Sequence, residues 1–486
     1  MKMSIDKISA TGTLITTIMV SGCNEPSAPQ QLNVIYILAD DMGYADLGCT
    51  GQQLFETPNI DRLATEGMLF TEHYAGCTVS APSRSCLMTG QHTGHTWIRG
   101  NKERKDGEGQ APLPAGTYTM AQMFHDAGYI TGAFGKWGLG FPGSEGAPEK
   151  MGFDRFFGYN CQREAHRYYP THLWDNDQKI ILEKNTAGKQ GEYAPDLIQS
   201  EALEFIRENQ NKAFFLFLPY TLPHAELIAP EDEIIRKFRG KFQEEPFVGD
   251  DYGPQTNPMG YCSQKEPFTA FAAMMTRLDL YVGQVIRVLE ELDIANHTLI
   301  IFTSDNGPHQ EGGANPNYFG SYGNFRGVKR DLYEGGIRLP MIAWAPGMVP
   351  AGIKNNRLVA MWDMLPTFAE IVGARIPDSV RLDGLSLVPT LQGQDAEQKD
   401  HPYLYWEFHE QGGKIAVRVG KWKGIIQNFT RDANAQYELY DLSKDIHEDH
   451  NVAAEHPEIV EHIRQIVREA RTDSPIFKFN NKSTYI

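Results

Sequence analysis

At 486 residues the chain is long enough for more than one core, and 41% hydrophobic with 22% charged residues is the composition of a globular protein and argues against disorder. Its formal net charge of −17 disfavours nucleic acid as a partner. It also means that any anion must be drawn in by a local cationic pocket.

The N-terminus carries Lys2 and Lys7 and then runs small and apolar to Cys23, too short and too Thr-rich for a membrane span. Val20-Ser21-Gly22-Cys23 is similar to a bacterial lipobox, with a plain secretory signal as the alternative. Residues 1–22 are then expected to be cleaved and Cys23 to carry lipid, which would be the only membrane attachment and would place the protein in the bacterial cell envelope. Residues 23–31, polar and proline-containing, suit a tether. The other cysteines, Cys49, Cys77, Cys86, Cys161 and Cys262, are odd in number and irregular in spacing, so no disulfide framework or zinc site follows.

The run LNVIYILAD (32–40) reads as a strand buried on both faces. Thr57-Pro58 opens a helix, PNIDRLATEG, with Thr as cap. In CTVSAPSRSCLMTG (77–90), Ser80, Pro82 and Ser83 read as a helix entrance. Strands follow at 128–137 and, after a helix at 195–209, at 213–220. An amphipathic helix (268–292) precedes the strand HTLIIFTSDNG (297–307); a strand at 339–347 and a helix at 358–373 complete the series. The glycines of NFRGVKRDLYEGGIRLP (324–340) suggest a tight loop rather than a helix.

Strands alternating with helices predict an α/β domain over 32–375, a large, mainly parallel mixed sheet sandwiched by helices. From 376 to 486 the pattern changes to short antiparallel strands closed by a helix at 456–471, a smaller α+β subdomain. Ligands of open α/β sheets bind beyond the carboxyl ends of the strands. Here those ends carry Asp40-Asp41, Lys136, His224 and Asp305-Asn306. Asp40, Asp41, Asp305 and Asn306 offer hard oxygens without Cys or His, a set suited to Ca²⁺ and less to Mg²⁺. Lys136, Lys329 and Arg84 are the cations available to a divalent anion.

In this order the residues resemble the formylglycine sulfatases of the alkaline phosphatase superfamily. Ser80-Ala81-Pro82-Ser83-Arg84, followed by Met88-Thr89-Gly90, matches their signature, and LADDMGYADLGCTG, GKWGLG, LPHAEL, TSDNG and ELYDLSKDIHEDHN extend the likeness along the chain. The resemblance implies hydrolysis of sulfate esters through a formylglycine made from Ser80 by a serine-type maturating enzyme. Asp40, Asp41, Asp305 and Asn306, with residue 80 itself, would hold Ca²⁺; Lys136, His224 and Lys329 would contact sulfate; Arg84 would support the hydrated aldehyde. His224 or Lys329 would protonate the departing alcohol. An O-sulfated glycan, such as one bearing sulfated galactose or N-acetylgalactosamine, is the implied substrate.

One position departs from the family. Gly138 stands where its members commonly carry a histidine that serves the formylglycine. His166 and His309 are the candidates to replace it. His166 and Arg167, in the Arg-, His- and Tyr-rich segment 161–174, could also line a sugar subsite, as could His309, His409 and Arg418. Two rival readings are a phosphoesterase using unmodified Ser80 and a glycan-binding lipoprotein with a dead site.

Overall fold

The computed structural model describes residues 31–104, 106–253, 260–432 and 434–479. The expected signal segment, the lipobox and nearly all of the tether therefore lie outside the described residues. From Leu32 onward the chain forms one compact unit. Among the described residues no helix is long and apolar enough to cross a membrane.

Among the described residues eleven strands make the main sheet: β1 Asn33–Ala39, β2 Met68–Tyr74, β3 Ile130–Lys136, β4 Arg155–Tyr159, β5 His172–Asp175, β6 Gln178–Ile181, β7 Phe214–Pro219, β8 Thr298–Ser304, β9 Arg338–Trp344, β10 Ile353–Asn355 and β11 Val359–Ala360. Their order is β10-β2-β9-β8-β1-β7-β3-β4-β5-β6, with β11 also on β2. The central run β8-β1-β7-β3-β4 is parallel, whereas β9 lies antiparallel to both β8 and β2. A second sheet, β12 Leu404–Phe408, β13 Lys414–Val419, β14 Trp422–Gln427 and β15 Tyr437–Asp441, is wholly antiparallel.

The apolar run of β1 is buried on both faces because its neighbours are covered twice. Ile35, Ile37 and Ala39 join one core with the helices Ala194–Glu208 and Pro267–Glu291. Val34, Tyr36 and Leu38 join the other, with the helices Met120–Asp126 and Met364–Val372. Each fully buried side chain of this kind contributes about 1.5–3 kcal/mol, so the central strands anchor whatever their ends carry. Trp406 ties the small sheet to the large one, its indole N–H donating to Ala75 O at 2.9 Å.

Three local expectations change. Thr57 does not cap the helix Pro58–Glu66; its hydroxyl accepts from Gly48 N at 2.9 Å and donates to Asp61 at 3.1 Å. The predicted helix at 358–373 opens as β11 and a 3₁₀ turn, and becomes α-helical only at Met364. Within the predicted loop 324–340, Glu334–Ile337 forms one helical turn. The five cysteines outside the N-terminal segment are free thiols.

Candidate active site

Parallel pairing brings the polar strand ends to one edge. Ala39 of β1 is in register with Ser304 of β8, so Asp40 and Asp305 leave adjacent strands side by side. Lys136 ends β3, on the far side of β7 from β1, and His224 follows β7. Ser80 begins the helix Ser80–Thr89, every residue of which is buried. Its hydroxyl donates to Asp40 Oδ1 at 2.9 Å, and Lys136 Nζ lies 2.6 Å from Asp40 Oδ2 and 3.4 Å from Ser80 Oγ.

Arg84 lies one turn further along that helix. It donates to Lys136 O at 2.7 Å and to Asp305 Oδ2 at 2.8 Å, which clamps the ends of β3 and β8 together. Asp305 Oδ1 accepts from Asp41 N at 3.1 Å, and Asn306 Nδ2 donates to Asp41 Oδ1 at 2.7 Å. Asp41 adopts φ +63°, a left-handed conformation that turns its side chain back into the centre. Its other oxygen takes Lys329 Nζ at 2.8 Å.

Lys329 also meets His224 Nε2 at 3.1 Å and Glu311 Oε2 at 3.1 Å. His224 Nδ1 contacts Ala225 O. The contacts assign the proton to Nδ1 and leave Nε2 as the acceptor of the Lys329 ammonium. Three imidazoles stand in a row, His166 stacked on one face of His224 at 4.7 Å and His309 on the other at 5.5 Å. Both nitrogens of His309 meet backbone, Pro223 O at 3.3 Å and Glu311 N at 3.2 Å, so it has none left for proton transfer.

Burial and crowding set the charges. Burial alone would raise the Asp40 carboxyl, but Lys136, His224, Arg84 and Lys329 hold it well below the usual range. Asp305 is pushed up to about 6 by burial and by Asp40, against Arg84. Burial and Lys329 depress His224 well below its ordinary value, and burial and His224 do the same to His166; both rings are neutral. Although burial works against its charge, Lys329 is kept cationic by Asp41 and Glu311.

The residues fit a hard divalent cation. Donor atoms of Asp40, Asp41 and His224 lie within 4.8 Å of one another, and all three residues are buried. Asn306 Oδ1 is buried without a hydrogen-bond partner, an orphaned amide oxygen beside three carboxylates. Oxygen-rich sets of this kind suit Ca²⁺ or Mg²⁺.

Three expected substrate residues are not brought to this centre. Arg167 neutralises the fully buried Glu226 at 2.6 Å. His409 sits 2.8 Å from the buried Glu407 and stacks on Phe479 at 3.9 Å. Arg418 pairs with Glu72 at 2.7 Å and with the Tyr74 hydroxyl. In each case a buried acid or hydroxyl has claimed the side chain. Conversely, Glu311, which pairs with Lys329 and with Arg330 at 2.6 Å, escaped the sequence reading. Its only signal was an acid six residues beyond Asp305 in the same loop.

Comparison with known proteins converges on one family. Residues 32–374 match the sulfatase family model, and residues 320–473 match that of the N-sulphoglucosamine sulphohydrolase C-terminal region. The chain belongs to the sulfatase family. Such enzymes hydrolyse sulfate esters, and this sulfatase is 30% identical to the N-acetylgalactosamine-6-sulfatase of Canis lupus familiaris over 87% of its own length and 77% of the relative's. It is 29% identical to the N-acetylgalactosamine-6-O-sulfatase of Bacteroides thetaiotaomicron, over 93% and 97% of the two chains. Among solved structures, Ps i-CgsB in complex with k-i-k-neocarrahexaose superposes with a TM-score of 0.74 at 27% identity, covering 91% of this sulfatase and 93% of that chain.

Proposed function

We propose that this sulfatase removes O-sulfate from a carbohydrate such as sulfated galactose or N-acetylgalactosamine. Residue 80 would act as formylglycine made by a serine-type maturating enzyme, and Ca²⁺ would be held by Asp40, Asp41, Asp305 and Asn306. The observation that carries the reading is the convergence of Ser80, the three aspartates, Arg84, Lys136 and Lys329 on one sheet edge. The sugar assignment is supported by the relatives named N-acetylgalactosamine-6-sulfatase and by the neocarrahexaose complex. The lipobox-like Val20–Cys23 supports a lipid-anchored envelope protein.

Charge balance explains how a chain so acidic overall holds an anion. Asp40, Asp41 and Asp305 face Arg84, Lys136 and Lys329, three acids against three cations, while Glu311 is offset by Arg330. A divalent cation bound there would leave two positive charges in excess, and the singly charged sulfate ester would offset one of them.

When present, the hydrated aldehyde supplies a hydroxyl nucleophile and the cation lowers its pKa. The side chains do the rest. Lys136, beside Ser80 Oγ, orients the nucleophile and holds charge on a sulfuryl oxygen. Arg84 fixes Lys136 and Asp305 from behind. Since His224 is neutral with Nε2 accepting, it has no proton to give at that atom. Lys329 Nζ is therefore the donor to the departing alcohol oxygen, and His224 aims it.

Peptide mass spectrometry on protein made in a host with the maturating enzyme tests the reading. The Ser80 peptide is expected two hydrogens lighter, with sulfate released from a sulfated sugar. An intact serine, together with turnover of a phosphate ester, would move the protein to the phosphoesterase reading.

A further inference from the structure

Three amide side chains beside Lys136 have no role in the site so far. Gly138, two residues beyond Lys136, has φ +77°, and a Cβ placed there would come within 2.7 Å of Gln162 Nε2. Its backbone N donates to Asn160 O at 3.2 Å. Gln162 N in turn donates to Gln110 Oε1 at 3.0 Å. Gln110, Asn160 and Gln162 thus surround one short backbone segment, and they are only 1%, 1% and 6% exposed.

Each of them keeps one buried polar atom with no partner: Gln110 Nε2, Asn160 Oδ1 and Gln162 Nε2. Leaving such an atom unpaired costs roughly 1–3 kcal/mol, and native structures rarely gather several in one place without a ligand, an ion or an ordered water. Their position says which ligand. Lys136 of β3 is in register with Tyr159 of β4, so Asn160 to Gln162 leave the sheet at the edge where Lys136 reaches Ser80. Two unpaired N–H donors and one acceptor complement an anionic oxygen next to a hydroxyl.

We propose that Gln162, flanked by Gln110 and Asn160, is a substrate-contacting residue whose amide donates to an oxygen of the sulfuryl group. Glycine at 138 is what leaves the amide room, because any side chain there would have to displace it. The assignment rests on the sulfate-ester reading of the Ser80 centre.

The test compares Gln162→Leu and the isosteric Gln162→Glu with the wild type, using a sulfated monosaccharide. Losing one donor to an anion lowers kcat/KM roughly 10- to 100-fold in Gln162→Leu. Gln162→Glu falls further, because a carboxylate faces the anion; burying that charge also lowers its melting midpoint by a few degrees, so activity is compared on the folded fraction. A purely packing role predicts kcat/KM within twofold of wild type in the correctly folded Glu variant, and that result overturns the assignment. Should the wild type release no sulfate, the functional reading fails separately. Calorimetric titration of wild type and Gln162→Glu with inorganic sulfate then decides: weaker binding by the variant keeps the assignment, and equal or absent binding removes it.

Discussion

Two charge clusters, each of three acids against three cations, serve different ends. At the edge of the main sheet, Asp40, Asp41 and Asp305 face Arg84, Lys136 and Lys329. Between β2 and β9 and the small sheet, Glu72, Glu334 and Glu448 face Arg338, Arg418 and Lys423. In the second cluster one acid is surrounded by cations: Glu334 lies 2.8 Å from Lys423, 3.1 Å from Arg338 and 3.5 Å from Arg418. Burial would raise its carboxyl, but those cations hold it far below the usual range. Burial and a neighbouring acid push up one carboxyl in each cluster, Asp305 beside Asp40 to about 6 and Glu448 beside Glu334 to about 7. What separates them is place: the second cross-links two sheets, whereas the first stands at the carboxyl edge of the main sheet, beside Ser80 and the unpartnered Asn306 Oδ1.

The largest contrast should come from Ser80→Ala. It removes the hydroxyl's contacts with Asp40 and Lys136 but leaves every ion pair in place, so the melting midpoint is expected to move by only a few degrees while sulfate release falls at least about a thousandfold, as when a nucleophile is removed. Activity surviving in the pure variant would break the mechanism. The converse change is Lys423→Met, at a residue with no exposed side chain. Stripping Glu334 and Glu448 of that partner should cost about 3–5 kcal/mol of stability, read by denaturant unfolding. The folded fraction should keep its wild-type kcat. A loss of kcat without a loss of stability would show that the second cluster communicates with the first.

The sequence exposes the first cluster better than the second, and for a physical reason. Acids that end apolar strands, such as Asp40 after LNVIYILA and Asp305 after TLIIFTS, break the pattern of burial and so advertise a ligand edge. Arg418 interrupts KIAVRV in the same way, yet its partners lie on β2 and on the turn before β9, pairings that no local pattern encodes. His409 and Arg167 misled for the same reason, since each answers a buried acid. The strand β2 escaped because MLFTEHY carries polar Thr71, Glu72 and His73 in its second half. Gln162 escaped because only the folded chain brings its amide against Gly138.

The smallest effect probes the difference between the clusters through pH. Asp305 ionises near 6 in the cation-free fold but near 3.9 when unfolded, so the folded state binds the proton more tightly. Its contribution is fully present below about pH 4 and is lost as pH rises through 6. In chelator, the wild-type melting midpoint should therefore fall across that window by a few degrees more than that of Asp305→Asn. Adding Ca²⁺ at about 100 times its dissociation constant should return roughly 2.7 kcal/mol to the wild type above pH 6 and much less to the variant. Lys423 and its partners take no part in cation binding, so a Lys423→Met background should lower every midpoint without changing the difference. Scanning calorimetry reads all of these. A wild type whose pH response in chelator matches that of Asp305→Asn would mean that the crowding of Asp40, Asp41 and Asp305 is relieved by something other than a cation.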